Sequence, residues 1–163
     1  MDRHGTMREG LIAGALGATG VAAWFLIVDT IAGQPFFTPR VLGEAVKSIV
    51  APDSFASLLV IVALYTVFHY AAFILAGIAV FAVVHGAARH IGLLAGMVIL
   101  FVALEVLFYG FVLMLQLATA LEAIAWYQVG AANLVAAALM GRYLWMKHPE
   151  LTHMLDESLS GRQ

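Results

Sequence analysis

Long uncharged stretches separate the charged residues of this chain. Counting only Asp, Glu, Lys and Arg as charged, five such stretches hold 19, 35, 15, 16 and 19 residues, at 10–28, 54–88, 90–104, 106–121 and 123–141. A helix needs about 20 mainly apolar residues to cross the hydrocarbon core of a bilayer. The third and fourth stretches are each too short, but joined through Glu105 they make one span with an acid inside it. The 35-residue stretch predicts one long or tilted helix, so the pattern predicts four transmembrane helices.

Turn and capping residues place the ends of the four predicted helices. Thr6 and Glu9 match a capping box at the start of the first helix, and Thr119 and Glu122 match another near the start of the fourth. The predicted ranges are 6–32, 55–85, 91–118 and 120–147. The first, second and fourth helices stop at Gly33-Gln34-Pro35, at Gly86 and at His148-Pro149.

The connection between the first two spans contains a short amphipathic helix. Thr38-Pro39 is a typical start, with an N-cap residue followed by proline at the first helical position. Apolar residues then fall on one face and polar residues on the other, namely Val41, Leu42, Ala45, Val46, Ile49 and Val50 against Arg40, Glu44, Lys47 and Ser48. This segment is too charged to cross a bilayer and is predicted to lie on the membrane surface, ending at Pro52-Asp53-Ser54.

Composition agrees with a membrane protein. Hydrophobic residues make up 63% of the chain and charged residues 11%, against roughly 45–50% and about 25% in soluble domains. The absence of cysteine excludes disulfides, thiolate metal ligands and thiol catalysis. A net charge of −2 without a basic cluster gives no sign of nucleic-acid binding. We predict an all-α integral membrane protein, with an up-down four-helix transmembrane domain at 1–148 and a short cytoplasmic tail at 149–163.

The distribution of basic residues predicts the orientation. The N-terminus, the 86–90 loop and the C-terminal tail share one side of the membrane, which carries Arg3, Arg8, Arg89, Arg142, Lys147 and Arg162. The other side carries Arg40 and Lys47. Because cytoplasmic loops are enriched in Lys and Arg, both termini are predicted to be cytoplasmic, in a bacterial-type inner membrane. A cleaved signal peptide is the alternative for the first helix, but its apolar stretch exceeds the roughly 7–15 residues of such signals.

Small residues repeat along the first span. Gly10, Gly14, Ala18 and Ala22 recur every four residues, so they share one face of a helix. Small residues let helix backbones approach closely in lipid. We therefore predict that Gly10, Gly14 and Ala18 pack against another helix, although Gly and Ala are also simply common in membrane helices.

Three spans carry a polar residue at their predicted midpoints. His69, Glu105 and Asn133 lie within about 3 Å of the same level at 1.5 Å rise per residue. Tyr65 and Tyr109 each lie one turn nearer the outer surface, and Asp29 and Gln116 extend the polar column in that direction. An ionised acid is costly at the bilayer centre, so Glu105 is expected to face the bundle, to be protonated or to pair. His69 is its predicted partner, and Asn133 can donate and accept.

Several functions fit such a cluster. Polar groups often join membrane helices without any other role. The alternatives are a proton relay, haem or metal bound at His69 with Glu105, a catalytic pair, or a small transporter or channel. One His and one Glu supply only two ligands, whereas most metal sites use three or more. The sequence also lacks phosphate-binding loops, His-Glu-x-x-His and Gly-x-Ser-x-Gly. The leading hypothesis is therefore a non-catalytic membrane protein in the lipid bilayer, either self-associating or an accessory subunit of a larger energy-transducing complex.

Overall fold

A computed structural model describes residues 3–51, 56–87 and 126–147, together with positions 102, 105, 106, 109 and 110. Four helices occupy the continuous ranges: α1 (Arg3–Ile31), α2 (Phe37–Val50), α3 (Leu58–Ala87) and α4 (Trp126–Lys147). The five separate positions are helical too, and these described parts of the chain contain no strand. The prediction of an all-helical protein is confirmed for this portion of the sequence.

Three of these helices are long and apolar enough to cross a membrane. The candidate spans are Met7–Ile31 in α1, Leu58–Phe81 in α3 and Trp126–Lys147 in α4. They correspond to the first, second and fourth predicted spans. Most of the third predicted span, 91–118, lies outside the described residues. Membrane localisation is therefore supported by three helices of the required length and composition.

The observed helix ends differ from the local sequence signals in two places. Helix α1 begins at Arg3, so Thr6 lies inside the helix and the prediction that it caps the N-terminus is wrong. Helix α3 begins at Leu58 and continues through Gly86 to Ala87, so Gly86 does not end it. Helix α4 is described as far as Lys147, where the described residues stop. The predicted stops and caps at 52–54, 119–122 and 148–149 lie outside the described residues.

A short turn connects α1 to α2. Gly33 and Phe36 both have left-handed backbone angles, with φ values of 74° and 68°. Glycine adopts this region freely, whereas a bulky residue such as Phe36 is strained there. Helix α2 begins at Phe37, so Thr38 is its second residue and the prediction of Thr38 as N-cap is wrong. Pro39 still lies in the first turn, where the missing N–H has no helical partner to lose.

Helix α1 occupies the centre of the described structure, with α3 and α4 packed against it. In its contact with α3, the backbones of the two helices touch each other directly at glycines. A Cβ added to Gly10 would lie 2.6 Å from the Cα of Ile78, and one added to Gly14 would lie 2.6 Å from the Cα of Ile74. Gly77 faces Gly10 and Gly14 from the other side. Of the predicted small-residue ridge, Gly10, Gly14 and Ala18 are buried, whereas Ala22 is exposed.

Helix α4 packs against α1 next to α3, since both Phe73 of α3 and Met140 of α4 lie beside Gly17. Met140 packs onto Gly17 and Leu139 packs onto Gly20, and α4 buries an alanine-rich stripe in this contact, with Ala132, Ala136 and Ala137 fully or almost fully covered. Helix α2 lies along α3, where Gly43 approaches the carbonyl of Ile61 so closely that a Cβ at Gly43 would be 2.6 Å from that oxygen. Small residues thus set the distance between helices at every one of these contacts.

Candidate functional site

His69 lies near the middle of α3 and is buried against α1. Its Nε2 is 3.1 Å from the carbonyl oxygen of Ala18, and its Nδ1 is 3.4 Å from the hydroxyl of Tyr65. Because a carbonyl oxygen only accepts hydrogen bonds, Nε2 must carry the proton and donate it to Ala18. In a neutral imidazole Nδ1 is then an acceptor, and the Tyr65 hydroxyl donates to it. Both ring nitrogens are therefore used in contacts within the described structure.

Aromatic rings surround the imidazole on the remaining sides. Tyr65 stacks on His69 with ring centroids 5.3 Å apart, Phe73 lies at 4.8 Å, and the ring of Tyr70 meets the imidazole edge-on at 5.9 Å. These three residues lie on the same helix as His69, so the pocket for the imidazole is built mainly by α3 itself. Ala18 closes it from α1, since its small side chain lets the imidazole reach the backbone.

Glu105 contacts α4, where it meets Asn133. The Asn133 side-chain nitrogen donates to the Glu105 Oε1 at 3.2 Å. Asn133 is buried, while Glu105 is half-buried. Gly130, one turn before Asn133 on α4, leaves room for the carboxyl group: a Cβ there would lie 3.7 Å from the Glu105 Oε1 and near no other atom.

The predicted midplane cluster is thus divided between two helix contacts. The structure brings Glu105 together with Asn133, and His69 together with Tyr65. His69 and Glu105 share no hydrogen bond among the described residues, because both nitrogens of His69 are directed elsewhere. Tyr109 is half-buried, one helical turn from Glu105. Gln116 lies outside the described residues.

Asp29 is buried near the C-terminal end of α1 and binds the start of α2. Its Oδ2 accepts a hydrogen bond from the Thr38 backbone N–H at 2.8 Å, and its Oδ1 accepts one from the Thr38 hydroxyl at 2.9 Å. Asp29 is 4% exposed and Thr38 is 2% exposed. A carboxyl group at the N-terminus of a helix meets unpaired N–H groups and the positive end of the helix dipole. Asp29 therefore accepts the hydrogen bond from the backbone at the start of α2, a role that the sequence pattern predicts for the side chain of Thr38.

Two further contacts between spans were not predicted. The Trp24 indole N–H donates to the Gln128 side-chain oxygen at 3.1 Å, which joins α1 to α4. The hydroxyls of Thr19 and Tyr70 are 2.9 Å apart and join α1 to α3. Both contacts pair polar residues within candidate spans, and the position of a polar residue inside an apolar span is the sequence signal that could have indicated them. Only the rotation of the helices determines which of them meet.

The described residues contain no group of three or more His, Cys, Asp or Glu side chains able to hold a metal ion. Within the same part of the chain, every buried side-chain nitrogen or oxygen has a hydrogen-bond partner. Comparisons with protein-family models, with curated proteins and with solved structures gave no match. The chemistry of the site therefore has to be inferred from its own geometry.

Proposed function

We propose that this protein is a non-catalytic subunit of a larger complex in a bacterial-type cytoplasmic membrane. The observation that carries the proposal is that its buried polar side chains are used to join helices. Asp29 joins α1 to α2, and His69 joins α3 to α1. Asn133 joins α4 to the third predicted span through Glu105. Such contacts fix the register of a membrane bundle and are worth roughly 0.6 kcal/mol each on average.

The fold proposed with this function is an up-down bundle of four transmembrane helices, with α2 on the outer side. Glu105 supports a total of four spans. It is a helical residue of the predicted third span, and it meets Asn133 on α4. A bundle of this size has a small aqueous surface. Its large exposed hydrophobic side chains, including Leu59, Val67 and Leu134, need lipid or other membrane helices around them.

The alternatives receive less support from the geometry. Haem or metal binding at His69 would require a free ring nitrogen, but Nε2 donates to Ala18 and Nδ1 faces Tyr65. A transporter would need a water-filled path through both halves of the bundle. In the half nearest the start of α1, the backbones of Gly10, Gly14 and Gly77 lie in direct contact, which leaves no room for water between α1 and α3.

Association with other chains is the first test of the proposed function. We expect the protein extracted from its native membrane in polymer-bounded lipid discs to have a mass well above that of its own 17.5 kDa chain, as measured by native mass spectrometry. The additional mass should be accounted for by specific, stoichiometric membrane proteins or by further copies of this chain. A strict monomer with no stoichiometric companion, under conditions that preserve other complexes of that membrane, would overturn the proposal.

The orientation can be tested by cysteine labelling in the natural sequence, because the chain contains no cysteine that would have to be removed first. In Gly5→Cys, Ser48→Cys and Lys147→Cys, each new thiol replaces an exposed residue. With both termini cytoplasmic, only the Ser48→Cys thiol should react with a membrane-impermeant maleimide added to intact cells or spheroplasts. The other two thiols should react only after the membrane is opened. Labelling of Gly5→Cys and Lys147→Cys from opposite sides would contradict an even number of spans.

A further inference from the structure

Glu105 is an acid at the predicted middle of the membrane, and among the described residues no Lys or Arg forms a salt bridge with it. No Lys or Arg lies between Arg8 and Arg40, between Lys47 and Arg89, or between Arg89 and Arg142. Arg89 is 16 residues from Glu105 along the sequence, or about 24 Å in a helix. His69 is the imidazole at this depth, and its two ring nitrogens are already in contact with Ala18 and Tyr65. The sequence places no Lys or Arg at this depth, so an ionised Glu105 needs a cation from another chain.

The carboxyl group is held in place but not enclosed. Asn133 donates one hydrogen bond to Oε1, whereas an ionised carboxylate accepts up to about four. Glu105 is half-buried, so part of its side chain is accessible. The Asn133 contact therefore orients the carboxyl group and leaves it with unused acceptor capacity.

The residues around Glu105 form one continuous helix face. Val102, Glu105, Val106, Tyr109 and Gly110 have the spacing i, i+3, i+4, i+7 and i+8, and all five positions are helical. Val102 is 49% exposed and Val106 is 65% exposed. A Cβ added to Gly110 would meet no atom within 4 Å, so another backbone can come close there. We call these five residues the Glu105 face.

We propose that the Glu105 face is the docking surface for a transmembrane helix of a different protein, and that this helix carries a Lys or Arg at the middle of the membrane. The inference rests on the proposed function, since it names the kind of partner that the subunit would bind. Charge complementarity identifies the occupant: an acid without a counter-ion in an apolar medium calls for a cation. A second copy of this chain has no Lys or Arg at that depth, so self-association does not supply one.

Site-specific photocrosslinking tests the docking surface. A photoreactive phenylalanine analogue at position 106 should crosslink to one specific membrane protein in native membranes. The same analogue at position 67 is the matched control, because Val67 is 71% exposed on α3 and outside the Glu105 face. The crosslinked peptide should come from a predicted transmembrane helix with a Lys or Arg near its midpoint. Equal crosslinking from both positions, or a partner helix without a basic residue, would overturn the proposal.

Charge exchange tests the contact itself. Glu105→Gln should lower recovery of the crosslinked partner about tenfold or more, whereas Glu44→Gln, at an exposed acid on α2, should leave recovery unchanged. Glu105→Lys combined with Glu in place of the partner's basic residue should restore recovery. The melting temperature of each purified variant shows whether it remains folded. As a second variant, Val106→Trp should block docking by bulk alone, since its side chain points out of the bundle.

The remaining outcomes separate this inference from the proposed function. If Glu105→Gln folds and keeps its partner, the docking inference is wrong, while the protein remains a subunit. If the chain is a strict monomer, both proposals fail together. A proton is the competing occupant of Glu105. A hydrophobic carbodiimide that labels Glu105 as completely in native membranes as in the isolated protein would show that no partner cation covers it, and would overturn the inference.

Discussion

Gly14→Val will separate α1 from α3 and cost about 3 kcal/mol or more of folding free energy, at the upper end of the range for overpacked cores. The added Cβ would lie 2.6 Å from the Ile74 Cα and 2.9 Å from the Ile74 backbone nitrogen. Backbone atoms inside a helix cannot rotate away as a side chain can, so the two helices have to move apart. The measurement is the unfolding free energy in mixed micelles, or the melting temperature of the purified protein.

Two other glycines serve as controls for this prediction. At Gly110 an added Cβ would meet no atom within 4 Å, and at Gly130 it would meet only the Glu105 Oε1, at an ordinary contact distance of 3.7 Å. Gly110→Ala and Gly130→Ala should therefore leave stability unchanged or raise it by up to about 1 kcal/mol, through better helix propensity. If Gly14→Val were as stable as these controls, the close approach of α1 and α3 would be disproved.

Asp29→Ala should release α2 from the C-terminal end of α1 and cost about 3 kcal/mol or more. The substitution removes two buried hydrogen bonds to Thr38, and hydrogen bonds to charged groups contribute about 1.5–3 kcal/mol each. It also removes the acceptor that offsets the strained backbone at Phe36. Hydrogen exchange should show faster exchange of the amides of α2, while the amides of α3 near Gly77 keep their protection.

Changes at Thr38 divide this effect between its two hydrogen bonds. Thr38→Ser keeps the hydroxyl and the backbone N–H, so it should be close to the natural protein in stability. Thr38→Val keeps the N–H bond to Asp29 but loses the hydroxyl bond, so its stability should lie between that of Thr38→Ser and that of Asp29→Ala. Unchanged exchange of α2 in Asp29→Ala would show that the turn between α1 and α2 is held by other contacts.

The three described spans could be predicted because the bilayer imposes a length. Charged residues are excluded from the hydrocarbon core, so their spacing alone locates spans in α1, α3 and α4. Local capping patterns were less reliable. Thr6 lies inside α1, and Thr38 is capped by Asp29, a residue nine positions earlier whose proximity depends on the turn at Gly33.

The partners of the central polar residues could not be predicted from depth. Residue number gives the level of a side chain in the membrane, but not the direction in which it points around the helix axis. The backbone contact of Gly10 and Gly14 with α3 settles that direction, because it fixes how α3 is rotated against α1. This rotation directs His69 to the Ala18 carbonyl. A contact between two helices thus decides the partner of a residue about one turn further along each of them.

The contacts of α1 have a consequence for biogenesis. Gly10 and Gly14 meet α3, Gly17 lies beside residues of both α3 and α4, and Gly20 meets α4, so Gly20 and part of the surface at Gly17 stay without their α4 neighbours until α4 has been synthesised. At about 5–20 residues per second, the 60 residues between Ala87 and Lys147 take roughly 3 to 12 seconds to emerge. During that interval Gly17 and Gly20 lack the cover that Met140 and Leu139 give them in the folded protein. A membrane chaperone or insertase that shields exposed small residues would therefore bind this intermediate rather than the folded protein.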